Sequence, residues 1–395
     1  MNAGGHDEQV RIRCVIMRGG TSKALFLRSA DLLSDPALRD QQILALFGSP
    51  DPRQIDGLGG ADILTSKLAI IAPSSRPDAD VDYTFAQVSV SEPVVSYDMN
   101  CGNISAAVGA YAVQEGFVPA RQPLTTVRIH NTNTRKVLLA HVPVEAGGPR
   151  VEGDCVVEGV PGSGAEILLD YRQTAGGATG RLLPTGRVRD KLEIPELGKE
   201  LDISVVDVGN LCVFFAAAAA GLTGAEGPAS LSAEHVAQVD AVRARTAAWL
   251  GLRTDGLTPI PVAVAPPTPY PRFADGEVVP ESAIDLVARV VGGRPPMLHK
   301  AFPGTAGVCT GVAARIRGTV VHAVVRPETG QEAVRIGHPS GVFPVRSRVV
   351  EDEGDFQVDR AAYSRTARRL MEGEAFIRRA ALARPRAAAG AARAS

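Results

Sequence analysis

Two short segments rich in alanine, glycine and valine recur roughly 200 residues apart, and each carries a cysteine. The first reads CGNISAAVGAYAVQEG and starts at Cys101, and the second reads TAGVCTGVAARI and starts at Thr305. Each ends near a glycine and precedes a strand-like segment. Because both helices are apolar on nearly every face, each is expected to be enclosed by its own domain. We therefore predict two similar halves, each built around one helix.

The length of the chain supports this division. A chain of 395 residues exceeds what one hydrophobic core ordinarily holds, so two domains are expected. The turn-rich stretch PGSGAEILLDYRQTAGGATGRLLPTG indicates the connection between them. We place the N-terminal domain at residues 1–185, the C-terminal domain at 186–383 and a flexible tail at 384–395. A last amphipathic, basic helix is expected at 361–383, where it could pack back on the first domain.

Hydrophobic periodicity predicts the other elements. Helices are expected at residues 36–46 and 232–250. Strands are expected in apolar segments, in segments with β-branched residues or in segments of alternating polarity, namely VRIRCVIMR, ALFL, SKLAIIAP, VDYTFAQVSV, TTVRIHNT, RKVLLAHVPV, CVVEGVPG, LDISVVDVGNLCVFFAAAAAGL, TPIPVAVAPP, IDLVARVVGG and RGTVVHAVV.

Composition excludes several classes of partner. The net charge of −1 argues against nucleic acid or an anionic membrane as the main partner. The sequence contains no run of about 18 apolar residues, so no membrane-spanning helix is predicted. The N-terminus lacks the apolar region of a secretory signal, and a cytoplasmic location is therefore expected. The five cysteines are scattered without a CxxC pair, which favours reduced thiols over disulfides or zinc. We therefore predict no metal site.

The stretch DMNCGNISAAVGAYAV raises the question of what Cys101 does at the start of a helix. The side chain of Asn100 or Asn103 could cap this helix. The free amide N–H groups of the first turn, including those of Gly102 and Asn103, would favour a thiolate or bind an anion. The segment could thus supply a base together with a site for developing negative charge. Packing of a small apolar thiol is the alternative.

A second candidate group follows a glycine-rich loop in GLGGADILTSKLAII. Lys67 begins a strand with apolar residues after it, and Ser66 precedes it. A lysine in mostly apolar surroundings can act as an acid or a base. This stretch is therefore a candidate for proton transfer.

The turn in MRGGTSKALF forms a third candidate. Arg18, Ser22 and Lys23 stand beside a Gly-Gly pair and could hold a carboxylate. A solvated basic turn is the alternative. The spacing is not that of a phosphate-binding P-loop.

Ten segments in order resemble the PrpF family, and together they span residues 11–375. They are MRGGTSKALFLR, GLGGADILTSKLAII, DMNCGNISAAVGAYAV, GVPGSGAEI, TGRLLPTG, DVGNLCVF, GLTGAE, GTAGVCTGVAARIRGTV, IGHPSG and RTARRLMEGE. That family includes 2-methylaconitate cis-trans isomerase, 4-oxalomesaconate tautomerase and methylitaconate isomerase.

The resemblance implies an α+β fold similar to that of diaminopimelate epimerase. Two similar domains would each wrap a β-sheet around a central helix, with the active site in the cleft between them. It also implies cofactor-independent proton transfer on a small polycarboxylate, with Lys67 and Cys101 as the acid/base pair. Related proteins make a homodimer possible.

The epimerases of this fold carry a second cysteine opposite the first. Cys309 is the nearest match here, but GVCTG does not reproduce the epimerase CGTG spacing, so packing is the alternative role. The other carboxylates of a substrate need cationic donors. In addition to Arg18 and Lys23, we consider His299, Lys300 and Arg315 for this role. For His299, and for His338 in GHPSG, a structural loop position is the alternative.

Moving a double bond by a 1,3-proton shift needs a base at one carbon and an acid at the other. We therefore predict an isomerase or tautomerase of an unsaturated di- or tricarboxylate. An amino-acid epimerase or racemase is an alternative that needs two facing thiols. A carboxylate-binding protein without catalysis and a cysteine hydrolase are further alternatives, and the hydrolase would need a histidine partner for Cys101.

Overall fold

The computed structural model describes residues 8–98, 100–228, 230–293, 296–327 and 333–382. Helices in this part of the chain are α1 (Pro36–Phe47), α2 (Gly102–Gln114), α3 (Ala233–Trp249), α4 (Gly304–Ala313) and α5 (Val320–Val324). Single 3-10 turns lie at Ser29–Asp31, Arg172–Thr174, Pro195–Leu197, Ala217–Ala220, Glu281–Ala283 and Arg379–Leu382.

Strands make up most of the remaining regular structure. In the first half they are β1 (Gln9–Gly19), β2 (Ser22–Arg28), β3 (Lys67–Pro73), β4 (Val81–Val88), β5 (Val95–Ser96), β6 (Leu124–Asn131), β7 (Lys136–Glu145), β8 (Gly148–Pro149), β9 (Cys155–Val156), β10 (Ser163–Gly164) and β11 (Ile167–Asp170). In the second half they are β12 (Asp190–Ile194), β13 (Lys199–Val208), β14 (Asn210–Ala216), β15 (Ile260–Ala265), β16 (Tyr270–Pro271), β17 (Val278–Val279), β18 (Leu286–Gly292), β19 (Met297–Leu298), β20 (Val334–His338), β21 (Gly341–Asp352), β22 (Asp355–Arg365) and β23 (Ala367–Arg378).

Two groups of strands each pack around one helix. The first group is hydrogen-bonded in the order β23–β1–β2–β3–β4–β6–β7–β11–β22, and α2 contacts β1, β6, β7 and β11. The second runs β22–β21–β20–β18–β15–β14–β13–β12, and α4 contacts β13, β14, β21 and β22. Strand β22 belongs to both groups and joins them. The predicted α+β architecture, with a sheet around a central helix in each half, is confirmed.

The composition of α2 explains why a helix can lie inside a sheet. Every residue from Gly102 to Val113 is buried, and most are small. A Cβ atom at Gly109 would come within 2.7 Å of the Cβ atom of Ala140, so the strand approaches the helix too closely for any side chain there. All ten residues of α4 are buried as well. Both helices are therefore enclosed, as their apolar faces predict.

The expected last helix at 361–383 is wrong. Its described residues continue β22 and form β23 and a 3-10 turn, while residue 383 and the tail at 384–395 lie outside the described residues. Strand β23 pairs antiparallel with β1 along its whole length, and β22 pairs with β11. Local helix propensity is a weak preference, and these pairings with distant strands override it. Chain from the second half therefore packs on the first half, but as strands.

The strand expected in RGTVVHAVV is also wrong, because Val320–Val324 form α5. The Thr319 side chain caps this helix by accepting a hydrogen bond from the amide of His322 at 3.0 Å. A cap of this kind satisfies an amide that lacks a partner in the first turn, and it offsets the poor helix propensity of valine.

The helices predicted at 36–46 and 232–250 are confirmed as α1 and α3. The stretch interpreted as a domain connection contains β11, which is paired on both sides with β7 and β22. The boundary at residue 185 stays a prediction. Within the described residues, no helix is long and apolar enough to cross a membrane.

Candidate active site

The N-termini of α2 and α4 meet at one tyrosine. A Cβ atom at Gly102, the first residue of α2, would lie 2.2 Å from the Tyr363 hydroxyl oxygen. A Cβ atom at Gly304, the first residue of α4, would lie 2.4 Å from the same oxygen. Amide N–H groups in the first turn of a helix have no partner within the helix, and the helix dipole favours negative charge there. The two helix ends therefore create one region suited to an anion.

Cys101 lies at this junction as the N-cap residue of α2. Its backbone is extended, and its side chain makes no capping hydrogen bond. The thiol is partly exposed, and the Ser105 hydroxyl donates to its carbonyl oxygen at 3.1 Å. Asn100 does not cap the helix, because its Oδ1 accepts from Ser105 Oγ at 3.4 Å and from Asn131 Nδ2 at 3.3 Å. The thiol is thus held at the helix end by its backbone.

A charge on Cys101 would affect the pKa of three tyrosines, Tyr83, Tyr171 and Tyr363. Burial raises the pKa of Tyr83 and Tyr171 well above the usual range, and a thiolate at Cys101 raises it further. Burial raises the pKa of Tyr363 to about 12, although the charge of Arg365 opposes this shift. The hydroxyls of Tyr171 and Tyr363 lie 3.3 Å apart. The hydroxyls of Tyr171 and Tyr363 both lie against Gly102, where they can donate hydrogen bonds to an anion.

Asn103 ties three elements together. Its Oδ1 accepts from Nε of Arg365 at 2.8 Å, and its Nδ2 donates to Thr21 Oγ1 at 3.0 Å. It therefore fixes β22 and the turn between β1 and β2 against α2. Arg365 is absent from the sequence-based set of site residues because residues 361–383 were expected to be helical. The segment RTARRLMEGE, which contributes to the family resemblance and begins at Arg365, was the signal that could have found it.

Lys67 is the first residue of β3 and is 8% exposed. Its Nζ donates to Gln87 Oε1 at 2.7 Å and lies 5.3 Å from the centroid of the Phe85 ring. The Gln87 amide donates in turn to the carbonyl of Ser66 at 2.9 Å. The hydroxyl of Ser66 is buried and donates to Gln54 at 2.7 Å, so this side chain holds the loop before the strand. The ammonium is thus oriented by a fixed amide.

His299 lies in the second half of the chain, in the segment that precedes α4. Burial of the imidazole chiefly lowers the pKa of His299 to about 4, and the nearby Lys67 charge lowers it further. The amide of Ala301 donates to Nδ1 at 3.1 Å, so the neutral ring carries its proton on Nε2. His299 is therefore uncharged at neutral pH.

His338 is a second histidine with a lowered pKa. Burial lowers its pKa to about 3, with further lowering by the charges of Arg289, Arg365 and His299. The amide of Ser340 donates to its Nδ1 at 3.2 Å, which again leaves the proton on Nε2. At neutral pH His338 is therefore an uncharged hydrogen-bond donor through Nε2.

The basic turn between β1 and β2 has a mainly structural arrangement. Arg18 donates to the carbonyls of Gly20 at 3.1 Å and Thr366 at 2.9 Å, which holds the turn against the start of β23. Lys23 pairs with Arg18 in the strand register and is partly exposed. The Ser22 hydroxyl is buried, and it has no hydrogen-bond partner among the described residues.

Of three further candidates, Arg315 and Cys309 are not brought to the junction of the helices. Arg315 follows the C-terminal end of α4, about 15 Å from its N-terminus at 1.5 Å per residue. Cys309 is fully buried inside α4, and its Sγ donates to the Val206 carbonyl at 3.2 Å. Lys300 is exposed, with Nζ 5.9 Å from the ring centroid of Phe273. The N-cap residue of α4 is Pro303, which has no thiol.

Comparison with known proteins identifies the family. The family model described as PrpF protein matches residues 9–378. The chain belongs to the PrpF family. The predicted family and the epimerase-like fold are thereby confirmed.

Relatives named as isomerases align over nearly the whole chain. The 3-methylitaconate isomerase of Eubacterium barkeri is 49% identical, covering 95% of this chain and 99% of that protein. The 2-methyl-aconitate isomerase of Shewanella oneidensis is 38% identical, covering 94% and 97% respectively. The crystal structure of a methylitaconate-delta-isomerase superposes with a TM-score of 0.81 at 47% identity, covering 98% of this chain and all of that one.

Proposed function

We propose that this protein is a cofactor-independent isomerase that moves a proton and a double bond in an unsaturated di- or tricarboxylate. The proposal is supported by a thiol at a helix N-terminus, Cys101, and by a buried, oriented ammonium, Lys67, and it takes both groups to face one cleft. Related isomerases act on methylitaconate and 2-methylaconitate, and they support this class of substrate. A cytoplasmic location and a homodimer stay predictions from the sequence.

The reaction needs one proton to leave the carbon skeleton and one to return at another carbon. One member of the pair Lys67 and Cys101 takes a proton from the carbon at one end of the three-carbon unit. The electron pair forms a dienolate, whose negative charge spreads onto a carboxylate oxygen. The other member then gives a proton to the far carbon, and the double bond moves. Amide N–H groups of α2 and the hydroxyls of Tyr171 and Tyr363 would stabilise the dienolate.

An amino-acid epimerase is less well supported. A two-base reaction between thiols would need a second cysteine facing Cys101 from α4. Position 303, which caps α4 as Cys101 caps α2, is a proline, and Cys309 is buried in the helix interior. The arrangement therefore favours one thiol and one amine over two thiols.

Proton NMR in D₂O tests the proposal with purified protein and a panel of 2-methylaconitate, methylitaconate, 4-oxalomesaconate and aconitate. We expect one acid to gain deuterium at carbon and to show a shifted double bond or a changed geometry. A parallel panel of proline, hydroxyproline and diaminopimelate should show no exchange. Absence of exchange with every polycarboxylate, while these acids still raise the melting temperature, would indicate a binding protein instead.

A further inference from the structure

Arg365 is a buried cation without a carboxylate partner in the part of the chain that the structure describes. Its side chain is 5% exposed. The carbon at the centre of its guanidinium lies 4.3 Å from the ring centroid of Phe343 and 4.5 Å from that of Tyr363. Burial lowers the pKa of Arg365. A buried charge is costly for the folded state unless it is paired, so an anionic partner is expected.

The hydrogen bonds of Arg365 leave donors unused. A guanidinium carries five N–H groups. Nε donates to Asn103, and Nη1 donates to the Ser364 carbonyl at 2.9 Å. Among the described residues Nη2 has no acceptor in hydrogen-bonding range. These remaining donors have the fork geometry that matches a carboxylate.

Another buried arginine shows what a purely structural role looks like. Arg289 also lacks a carboxylate partner among the described residues, and its Nη2 has no hydrogen-bond partner among them either. Its other donors bind three backbone carbonyls, those of Glu226, Ala288 and Gly337. Those bonds tie a loop and two strands together. Arg365 has a single carbonyl partner, in the residue just before it, so this explanation does not account for its burial.

Arg365 lines a cavity. Thr21, Phe302, His338 and Ser364 line this cavity together with Arg365. Glu158 is the one carboxylate that lines it, and its oxygen lies 3.7 Å from Nη1 of Arg272 instead. Asn103, which accepts a hydrogen bond from Nε of Arg365, lies in the first turn of α2, two residues after Cys101. An anion held by the remaining donors of Arg365 would therefore lie near the N-terminus of α2.

We propose that Arg365 binds a carboxylate of the substrate and that, through its bond to Asn103, it holds this carboxylate at the N-terminus of α2. The inference rests on the proposed function and assigns one subsite within it. Its consequence is a defined substrate class, because a carboxylate must be attached to the three-carbon unit that reacts at Cys101. An ester or amide at that position would leave the buried guanidinium without its partner.

Calorimetry with a saturated ligand tests binding separately from turnover. The probe is tricarballylate (propane-1,2,3-tricarboxylate), which cannot isomerise. The proteins are wild type, Arg365→Gln and the control Arg360→Gln, which removes an exposed charge from the same strand. We expect Arg365→Gln to bind about ten- to a hundredfold more weakly than wild type, since a hydrogen bond to a charged group is lost. We expect the control to bind within twofold of wild type. Equal affinity of both variants, or absence of measurable binding to wild type, would overturn the proposal.

A ligand series separates direct contact from an indirect effect through Asn103. Two monoamides of tricarballylate, with the central or a terminal carboxylate replaced, are compared with the parent acid. If Arg365 contacts a carboxylate, replacing that carboxylate by an amide weakens binding to wild type. The same replacement leaves the affinity of Arg365→Gln unchanged, because the contact is already absent in that variant. Equal losses for both amides in both proteins would mean that Arg365 has a structural role only. Arg365→Lys gives the same comparison if the glutamine variant does not fold, with about tenfold weaker binding expected because the fork is lost.

The two proposals fail in different ways. If Arg365 governs binding of tricarballylate but no unsaturated acid exchanges deuterium, the subsite stands and the isomerase function does not. If an acid isomerises and Arg365→Gln binds tricarballylate as wild type does, the function stands and the subsite does not.

Discussion

The hydroxyl oxygen of Tyr363 lies against Gly102 so closely that a Cβ atom at position 102 would come within 2.2 Å of it. The same hydroxyl lies against Gly304, and its ring stacks on Tyr171 with centroids 5.6 Å apart. One phenol therefore separates the first residues of two helices that come from different halves of the chain. The geometry of the candidate active site depends on glycine at both positions.

Gly102→Ala should lower kcat at least tenfold, because the added methyl group displaces the Tyr363 hydroxyl from the helix N-termini. The free energy of unfolding should fall by about 1–3 kcal/mol, as for other overpacked sites. Steady-state kinetics and urea unfolding measure the two effects. Gly148→Ala is the matched control, because a Cβ atom there meets no atom within 4 Å. Wild-type kcat in the Gly102 variant would show that the position of the hydroxyl is unimportant.

Gln87 is a positioning residue for Lys67. Its carboxamide is held by the carbonyls of Ser66 and Ile63 and accepts from the ammonium at 2.7 Å. Gln87→Ala should reduce kcat about tenfold and leave KM within twofold, because a misplaced acid or base slows the chemical step more than binding. The exposed Gln357→Ala on β22 is the control. A change confined to KM would mean that Gln87 serves substrate binding instead.

Acid should destabilise the protein partly through His338. This side chain is 3% exposed, and burial with the charges of Arg289, Arg365 and His299 lowers its pKa to about 3. In the unfolded chain the pKa of this histidine is about 6.5. Between about pH 3 and 6.5 it therefore binds a proton in the unfolded chain that it does not bind in the folded protein. The contribution of a neutral His338 to stability is therefore complete above about pH 6.5 and is lost as the pH falls, by up to about 1.4 kcal/mol per pH unit.

Urea unfolding of wild type and His338→Gln at a series of pH values measures this effect. The slope of the unfolding free energy between about pH 4.5 and 6 should be shallower in the variant by close to one proton. Between about pH 7.5 and 8.5 the difference between the two proteins should be constant, because His338 is neutral in both states there. Identical slopes in the acid range would show that His338 is protonated in the folded protein.

The sequence was sufficient for the central helices and insufficient for the strands that join the halves. The segment from Cys101 has a local pattern of small apolar residues, and it forms α2 as predicted. Residues 361–383 are rich in alanine, arginine, leucine and glutamate, which favour a helix locally. Their strand structure comes from pairing with β1 and β11, more than 180 residues away in sequence, and no local pattern contains that information.

The same error explains which site residues were found and which were missed. Lys67 and Cys101 follow local signals, a glycine-rich loop and a helix start. Arg365 lies next to α2 because β22 joins the two groups of strands. The helix predicted for residues 361–383 gave no reason to expect it there. Arg315 was included for its charge alone, although it lies beyond the far end of α4. Residue type can suggest a candidate, but topology decides which end of a helix it occupies.

The central claim is that Lys67 and Cys101 transfer the protons. The most direct measurement is proton NMR in D₂O on the acid that wild type converts, with Cys101→Ser, Lys67→Met and the control Cys309→Ser. We predict that the first two variants lose isomerisation and deuterium entry at least a hundredfold, as expected when a general acid or base is removed, while both still bind tricarballylate. The control should retain wild-type rates, because Cys309 is buried away from the cleft. Wild-type rates in either Cys101→Ser or Lys67→Met would contradict the account.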